Sequence, residues 1–294
     1  MKDYIIRATA AQGYIRAFAA TTTNLVGMAQ KTHGLYPIPS AVLGRTLTAA
    51  LMMAIDMKSE SHTLSIILKG GGPIGNVAVV AKPNGRIKGY VDNPRVDLPL
   101  NSMGKLDVGM AVGNKGKLTV IKDLGLKEPY AGQVDLVTGE IGEDIAYYLA
   151  ISEQKPSAVA LGVLVDPDAT IRAAGGFIIQ PLPGAPDELI DTIEERIAMI
   201  PSVSAMVDEG KKPEEVLEAV LGPMDLKVNH RIYPVFACDC NRERLESVLL
   251  SLGEEELETI LEEDGKAELV CHYCNTVYNF DEKDIIKLLE NART

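Results

Sequence analysis

The chain has 294 residues, 46% of them apolar and 24% charged, which is enough apolar material to bury a core and excludes wholesale disorder. No run of 18 apolar residues occurs, so no membrane partner is expected; Asp3, Arg7 and Arg16 break up the opening segment, so no secretory signal is expected and the expected localisation is cytoplasmic, where thiols stay reduced. The net charge of −12 is uneven: residues 1–186 hold 18 Lys/Arg against 15 Asp/Glu, residues 187–230 hold 4 against 11, and residues 231–294 hold 7 against 15. An acidic C-terminal third does not grip a phosphate backbone, so no nucleic-acid partner is expected.

In chain order, residues 1–183 predict an α+β arrangement, a mixed α/β core domain with helices packed on sheets. Val42, Leu43, Leu47, Ala50, Leu51, Ala54 and Ile55 recur at helical spacing, which predicts a buried helix over 41–57 capped by Ser40. Thr63–Lys69 alternates with Leu64, Ile66 and Leu68 on one face, and Asn84-Gly85 predicts a hairpin between Asn76–Ala81 and Arg86–Val91. Further strands are expected over 118–122 and 133–137, and a terminal pair over Ala158–Val165 and 173–180, joined by a turn at Asp166-Pro167-Asp168. A helix is expected over 142–152.

Residues 184–230 predict a helical linker. Leu189, Ile190, Ile193, Ile197 and Ile200 share one helical face until Pro201 stops it. A short helix over 202–209 ends at Gly210, and Pro213 opens a third whose face carries Val216, Leu217, Val220 and Leu221. Helices this short do not bury such faces on one another and must dock elsewhere. Residues 231–294 form the last expected section, a small C-terminal zinc-binding domain with helices over 254–265 and 283–290.

All four cysteines of the chain lie in that section, as Cys238-Asp-Cys240 and, thirty residues on, Cys271-His-Tyr-Cys274. Two close thiolate pairs match a tetrahedral structural zinc site, with Cys238, Cys240, Cys271 and Cys274 as ligands. A small section poor in aromatics needs such a staple. Structural disulfides are disfavoured in a reduced compartment, and His272 is the one alternative ligand inside the second pair. Four sulfurs close the coordination shell, so metal-assisted hydrolysis is not expected. Thiolates are nevertheless what oxidants attack, and oxidation removes the ligands. Spacing alone does not separate a redox switch from a static staple.

The cysteine pattern, together with GRTLTAALMMA at 44–54, GGGPIGNV at 70–77, YVDNP at 90–94, KDLGLKEPYAGQV at 122–134 and AAGGFIIQPLPGA at 173–185, is similar to the heat shock protein thirty-three family, the bacterial redox-regulated holdase chaperones. The resemblance covers essentially the whole chain, without departure at any cysteine. It implies an α/β core (1–183), a helical linker (184–230) and a zinc-binding redox switch (231–294). It implies one zinc ion per chain in a reduced, inactive form. It further implies that oxidants form the disulfides Cys238–Cys240 and Cys271–Cys274, release zinc and destabilise the linker, exposing apolar surface that binds unfolded client proteins. A homodimer is implied for the active form, and no ATP is used.

Three other readings are weaker. Gly70–Gly75 lacks the G-K-[ST] ending of a phosphate loop. A static zinc-ribbon adaptor would need its metal fold intact to bind a partner, the opposite redox dependence. A thiol–disulfide enzyme places its C-x-x-C at a helix N-terminus after a strand, whereas NTVYNF after Cys274 looks strand-like. No Ser/His/Asp or paired-carboxylate constellation stands out, and no enzymatic activity is expected.

Overall fold

Alternating apolar residues build two sheets in the first part of the chain, as seen in a computed structural model that describes residues 2–292. Two compact units divide the chain between Phe236 and Ala237. The first contains β1 (Tyr4–Ala10), β2 (Ile15–Thr21), α1 (Thr23–His33), α2 (Pro37–Ala54), β3 (Thr63–Lys69), β4 (Asn76–Ala81), β5 (Arg86–Val91), α3 (Val108–Val112), β6 (Lys117–Asp123), β7 (Tyr130–Asp135), α4 (Gly142–Ile151), β8 (Ala158–Val165), β9 (Ile171–Pro181), α5 (Asp187–Met199), α6 (Val203–Asp208), α7 (Pro213–Leu221), β10 (Lys227–Ile232) and β11 (Val235–Phe236). The second contains α8 (Arg242–Leu250), α9 (Glu254–Glu263), β12 (Ala267–Val270), β13 (Val277–Phe280) and α10 (Glu282–Ala292). No helix among the described residues is long and apolar enough to cross a membrane.

The first sheet has the order β10-β1-β2-β9-β8 and is antiparallel throughout. The second runs β11-β5-β4-β3-β6-β7, with only the short β11–β5 pair parallel. Between them lies α2, packed on β8 and β9 of one sheet and on β3, β4 and β5 of the other. Fifteen of its eighteen residues are buried, as expected of a helix apolar on all sides. Its buried threonines bond back to the helix, Thr46 Oγ1 donating to the Val42 carbonyl at 2.9 Å and Thr48 Oγ1 to that of Gly44 at 2.8 Å.

Local chemistry sets several boundaries differently from the sequence pattern. Helix α2 begins four residues earlier than expected, because Pro37 and Pro39 occupy its first turn, where their missing N–H groups cost nothing. Ser40 is therefore inside the helix, and its buried Oγ has no partner; it is not a cap. The β4–β5 hairpin closes through Pro83 and Asn84 with Gly85 at φ +88°, so the glycine takes the left-handed third position of a three-residue loop. Strand β7 ends at Asp135 rather than 137. Buried Asp144 draws the chain into a turn there, its carboxylate accepting from the N–H groups of Val137 (2.7 Å), Thr138 (3.1 Å) and Ile141 (2.9 Å).

The first sheet is covered on both faces, and the two-residue period of its strands decides which side chain meets which helix. Ile5, Phe18 and Ile178 face α2. Ile6, Ala17, Ala19, Phe177 and Ile179 point the other way and bury Ile193, Val203, Met206, Val216, Leu217 and Val220 of α5, α6 and α7. Close approach depends on bare backbone under α6: a Cβ at Gly162 would lie 2.8 Å from the Ser204 Cβ, and one at Gly175 would lie 3.0 Å from Val207 Cγ2. Polar contacts reinforce this docking. Arg196 of α5 donates to the carbonyls of Val220 and Ala219 at the end of α7. At the other end of α7, Glu214 accepts from the Tyr4 hydroxyl of β1 (2.6 Å) and pairs with Arg231 of β10, whose guanidinium lies 4.6 Å from the centre of the Tyr4 ring.

Candidate metal centre

The second unit has a small core, made of Leu249, Leu257, Phe280, Ile285, Leu288 and Leu289. Strands β12 and β13 pair as a hairpin from Ala267↔Phe280 to Val270↔Val277. Cys271 and Cys274 sit in its turn. The Cys271 N–H donates to the Thr276 carbonyl at 3.0 Å, while the N–H groups of Cys274 (3.2 Å) and Asn275 (2.7 Å) converge on the Cys271 carbonyl. Asn275 takes the left-handed conformation at φ +56°, which asparagine tolerates better than most residues. This tight backbone knuckle turns both thiols the same way.

The other pair is held by the start of α8. Asn241 caps that helix, its side-chain oxygen accepting from the Arg244 N–H at 2.9 Å. Arg244 reaches back to the Asp239 carbonyl at 3.1 Å and to its carboxylate at 3.0 Å, so the single residue between Cys238 and Cys240 is fixed by the first turn of the helix. Arg242 ties the same turn to the hairpin, donating to the Asn279 carbonyl (2.9 Å) and the Asp284 carboxylate (2.6 Å) with its guanidinium 4.4 Å from the Phe280 ring centre.

All four Sγ atoms lie within 4.8 Å of one another and are half-buried. Cys238 and Cys271 are 3.7 Å apart, and Cys240 and Cys274 are 3.4 Å apart. Sulfurs arranged tetrahedrally around an ion at the usual zinc–sulfur distance of about 2.3 Å are roughly 3.8 Å from one another. The spacing and the all-sulfur donor set therefore fit a thiophilic ion bound in a closed shell. Exposed His272 is not a member of this group.

Burial pushes the Cys238 thiol up to about 12 and raises that of Cys271. Burial also acts upward on Cys274, but hydrogen bonding to Thr276, whose hydroxyl is 3.2 Å from the sulfur, and to the Cys240 and Cys271 thiols outweighs it and brings Cys274 down to about 7. Several half-buried thiols resist ionising side by side unless a cation sits among them, which is the electrostatic service a bound metal ion performs. The Tyr278 hydroxyl donates to Cys240 Sγ at 3.2 Å, and that bond is the main reason its phenol is pushed up to about 12.

The four cysteines singled out from the sequence are thus brought together. Tyr278 and Thr276 were not foreseen. Their signal was the strand pattern after Cys274, which returns the chain past the sulfurs and places a hydroxyl at two and at four residues beyond the last ligand.

Comparison with known proteins covers the whole chain. The model of the family described as "Hsp33 protein" matches residues 3–281. A protein named "33 kDa chaperonin" from Acetivibrio thermocellus is 51% identical over 290 residues, covering 99% of this chain and 98% of the relative. One of the same name from Clostridium beijerinckii is 50% identical over 293 residues, covering 100% of both. The crystal structure of the 33 kDa chaperonin (heat shock protein 33 homolog) from Thermotoga maritima superimposes with a TM-score of 0.91 at 38% identity, covering 99% of each chain.

Proposed function

The chain belongs to the Hsp33 family, and from that premise we propose that it is a redox-regulated, ATP-independent chaperone that holds unfolding proteins and prevents their aggregation. The relatives' shared name supports the chaperone function. The observation that carries the redox part is the clustering of all four thiols within 4.8 Å in a unit with so small a core.

In this reading Cys238, Cys240, Cys271 and Cys274 hold one zinc ion per chain in the reduced form, and the ion supplies the cross-link that the small core lacks. An oxidant such as peroxide converts the thiolates to the disulfides Cys238–Cys240 and Cys271–Cys274. Each bond formed releases two electrons, which reduce one peroxide, with two protons, to two waters. Sulfurs so paired no longer offer four thiolates, so the site loses its ion and the unit its fold. The segment 184–230 acts as a linker that then undocks. The apolar faces of α5, α6 and α7 and the sheet surface beneath them are contiguous, and exposing them provides the kind of patch that captures unfolded chains. The acidic flanks keep the open form soluble. The active form is a homodimer, and the protein works in the cytoplasm.

The test is aggregation of a heat-labile client without ATP, with the protein reduced and zinc-loaded or oxidised by peroxide. Suppression only after oxidation is expected. Equal suppression in both states would remove the switch, and none in either would leave the metal as a static staple. Amide exchange gives a second check: equal protection of residues 187–230 with and without zinc would sink the coupled undocking.

A further inference from the structure

Strand β10 contributes to its sheet mainly through its backbone. Five of its six residues are exposed and only Ile232 is buried, whereas Tyr4, Ile5, Ile6, Ala8 and Ala10 of its neighbour β1 are all buried. The pair runs antiparallel from Ile5↔Ile232 to Thr9↔Lys227. Val235 and Phe236 go on to pair with β5, so residues 227–236 form a strap that closes an edge of each sheet. Both ends of the strap are tied to parts that the proposed switch releases. At one end Arg231 pairs with Glu214 of α7 and lies over the Tyr4 ring. At the other, Phe236 stands two residues before Cys238.

Without the strap, β1 stays in the sheet through its ladder to β2 but becomes an edge. Exposed edges are ordinarily guarded by charges, prolines, bulges or shortness. β1 has seven residues, no proline and a regular register with β2, and its one charged residue, Arg7, is tied to Asp56. Tyr4, Ile6, Ala8 and Ala10 also belong to the apolar surface that α5, α6 and α7 cover, so an open edge and an open apolar face would lie side by side.

We infer that in the oxidised protein the β1 edge takes up an extended segment of an unfolding client as an added strand, in the place that β10 vacates. The inference rests on the redox reading for the release of the strap. Main-chain hydrogen bonds hold the segment whatever its sequence, and alternate apolar side chains settle on the surface left by α5, α6 and α7. On that side β10 offers exposed Arg231, opposite Ile6. An apolar client residue there buries more apolar area than the arginine does, so the client displaces the strap once Glu214 has moved away.

The probe is a short fluorescent peptide alternating valine and threonine, with every second backbone nitrogen methylated, so that it keeps one free pairing edge and does not stack on itself. The control has the same side chains and every backbone nitrogen methylated. With the full-length, peroxide-oxidised protein, residues 227–232 are expected to lose amide protection, and fluorescence anisotropy is expected to give saturable binding of the probe and at least about tenfold weaker binding of the control. The reduced, zinc-loaded protein is expected to bind neither. Asn229→Pro/His230→Pro opens the edge without oxidation, because proline has no N–H to give the ladder and both positions are exposed. Reduced and zinc-loaded, this variant is expected to bind the probe with the same preference while its thermal unfolding stays cooperative. Equal binding of probe and control, or no probe binding by the proline variant, would overturn the assignment. Probe binding that falls as the protein dimerises would also overturn it, giving the edge to a second copy of the chain. Failure of the switch reads differently: the oxidised wild type keeps β10 protected and suppresses no aggregation, while the proline variant still binds the probe.

Discussion

The two units hold themselves together by different means. In the first, α2 is enclosed by two sheets and one of those sheets is itself covered on its far face, so apolar burial is continuous across several layers. In the second, six buried side chains lie beside four sulfurs, and Arg242 and Arg244 tie the loop before α8 to the hairpin. A layered core tolerates the loss of any one contact, whereas a small core closed by a metal fails as a whole when its ligands change state. On the proposed function, that difference makes the second unit the sensitive element and the two-sheet core around α2 the stable platform.

The largest expected effect tests that contrast directly. Cys271→Ser, or removal of metal by a strong chelator, takes away a cross-link worth about 10 kcal/mol or more of apparent folding free energy in small zinc units. Amide exchange is expected to show residues 237–292 losing protection, with 187–230 following as the linker undocks, while α2 and strands β1 to β9 keep theirs. Collapse of both units together would break the comparison.

Leu51→Ala, fully buried in the last turn of α2, is the converse. A leucine truncated in a dense core costs about 2–5 kcal/mol. Urea unfolding of the first unit is expected to shift by that amount, with metal affinity of the second unchanged.

A smaller effect concerns how α7 docks. Burial alone would raise the Glu214 carboxyl, but the hydrogen bond from Tyr4 and the pairing with Arg231 outweigh it and hold the group below its ordinary 4.5. A carboxyl lowered in the folded state contributes fully above its ordinary value and loses that contribution as pH falls through the lower folded one. Glu214→Gln is expected to cost about 1 kcal/mol at neutral pH after solvent screening, and to flatten the acid limb of protection in 213–221. An unaltered pH profile would remove Glu214 from the docking contacts.

The smallest effect also has the most decisive sign. As a helix cap, Ser40 replaced by alanine would destabilise by about 1 kcal/mol. With its buried hydroxyl unpartnered inside α2, Ser40→Ala is expected to stabilise the first unit by somewhat under about 1 kcal/mol. The urea midpoint of this one variant decides between the two.

Much of this architecture was legible because its signals are local. Strand β3 reads directly from Leu64, Ile66 and Leu68 alternating toward the core, and the β4–β5 hairpin from Asn84-Gly85. The helices α5, α6 and α7 read from their apolar faces and from the Pro201, Gly210 and Pro213 punctuation between them. The four-sulfur cluster read from cysteine spacing, because groups contributed by a loop and a knuckle come from short sequence intervals. The start of α2 did not, since two prolines in the first turn look like breakers until the helix is seen to begin on them. The end of β7 was equally hidden, as Asp144 captures backbone donors from a loop that the strand pattern simply overran.

By itself, the sequence determined the α+β class, the helical segment before the cysteines and the four sulfurs as one group, because periodicity and ligand spacing are properties of neighbouring residues. Tertiary structure alone decided that β10 crosses back to pair with β1, that Glu214 finds Tyr4 and Arg231, and that Tyr278 reaches Cys240. Those contacts join residues far apart in the chain, and only the packing of whole sheets and helices brings such partners within reach.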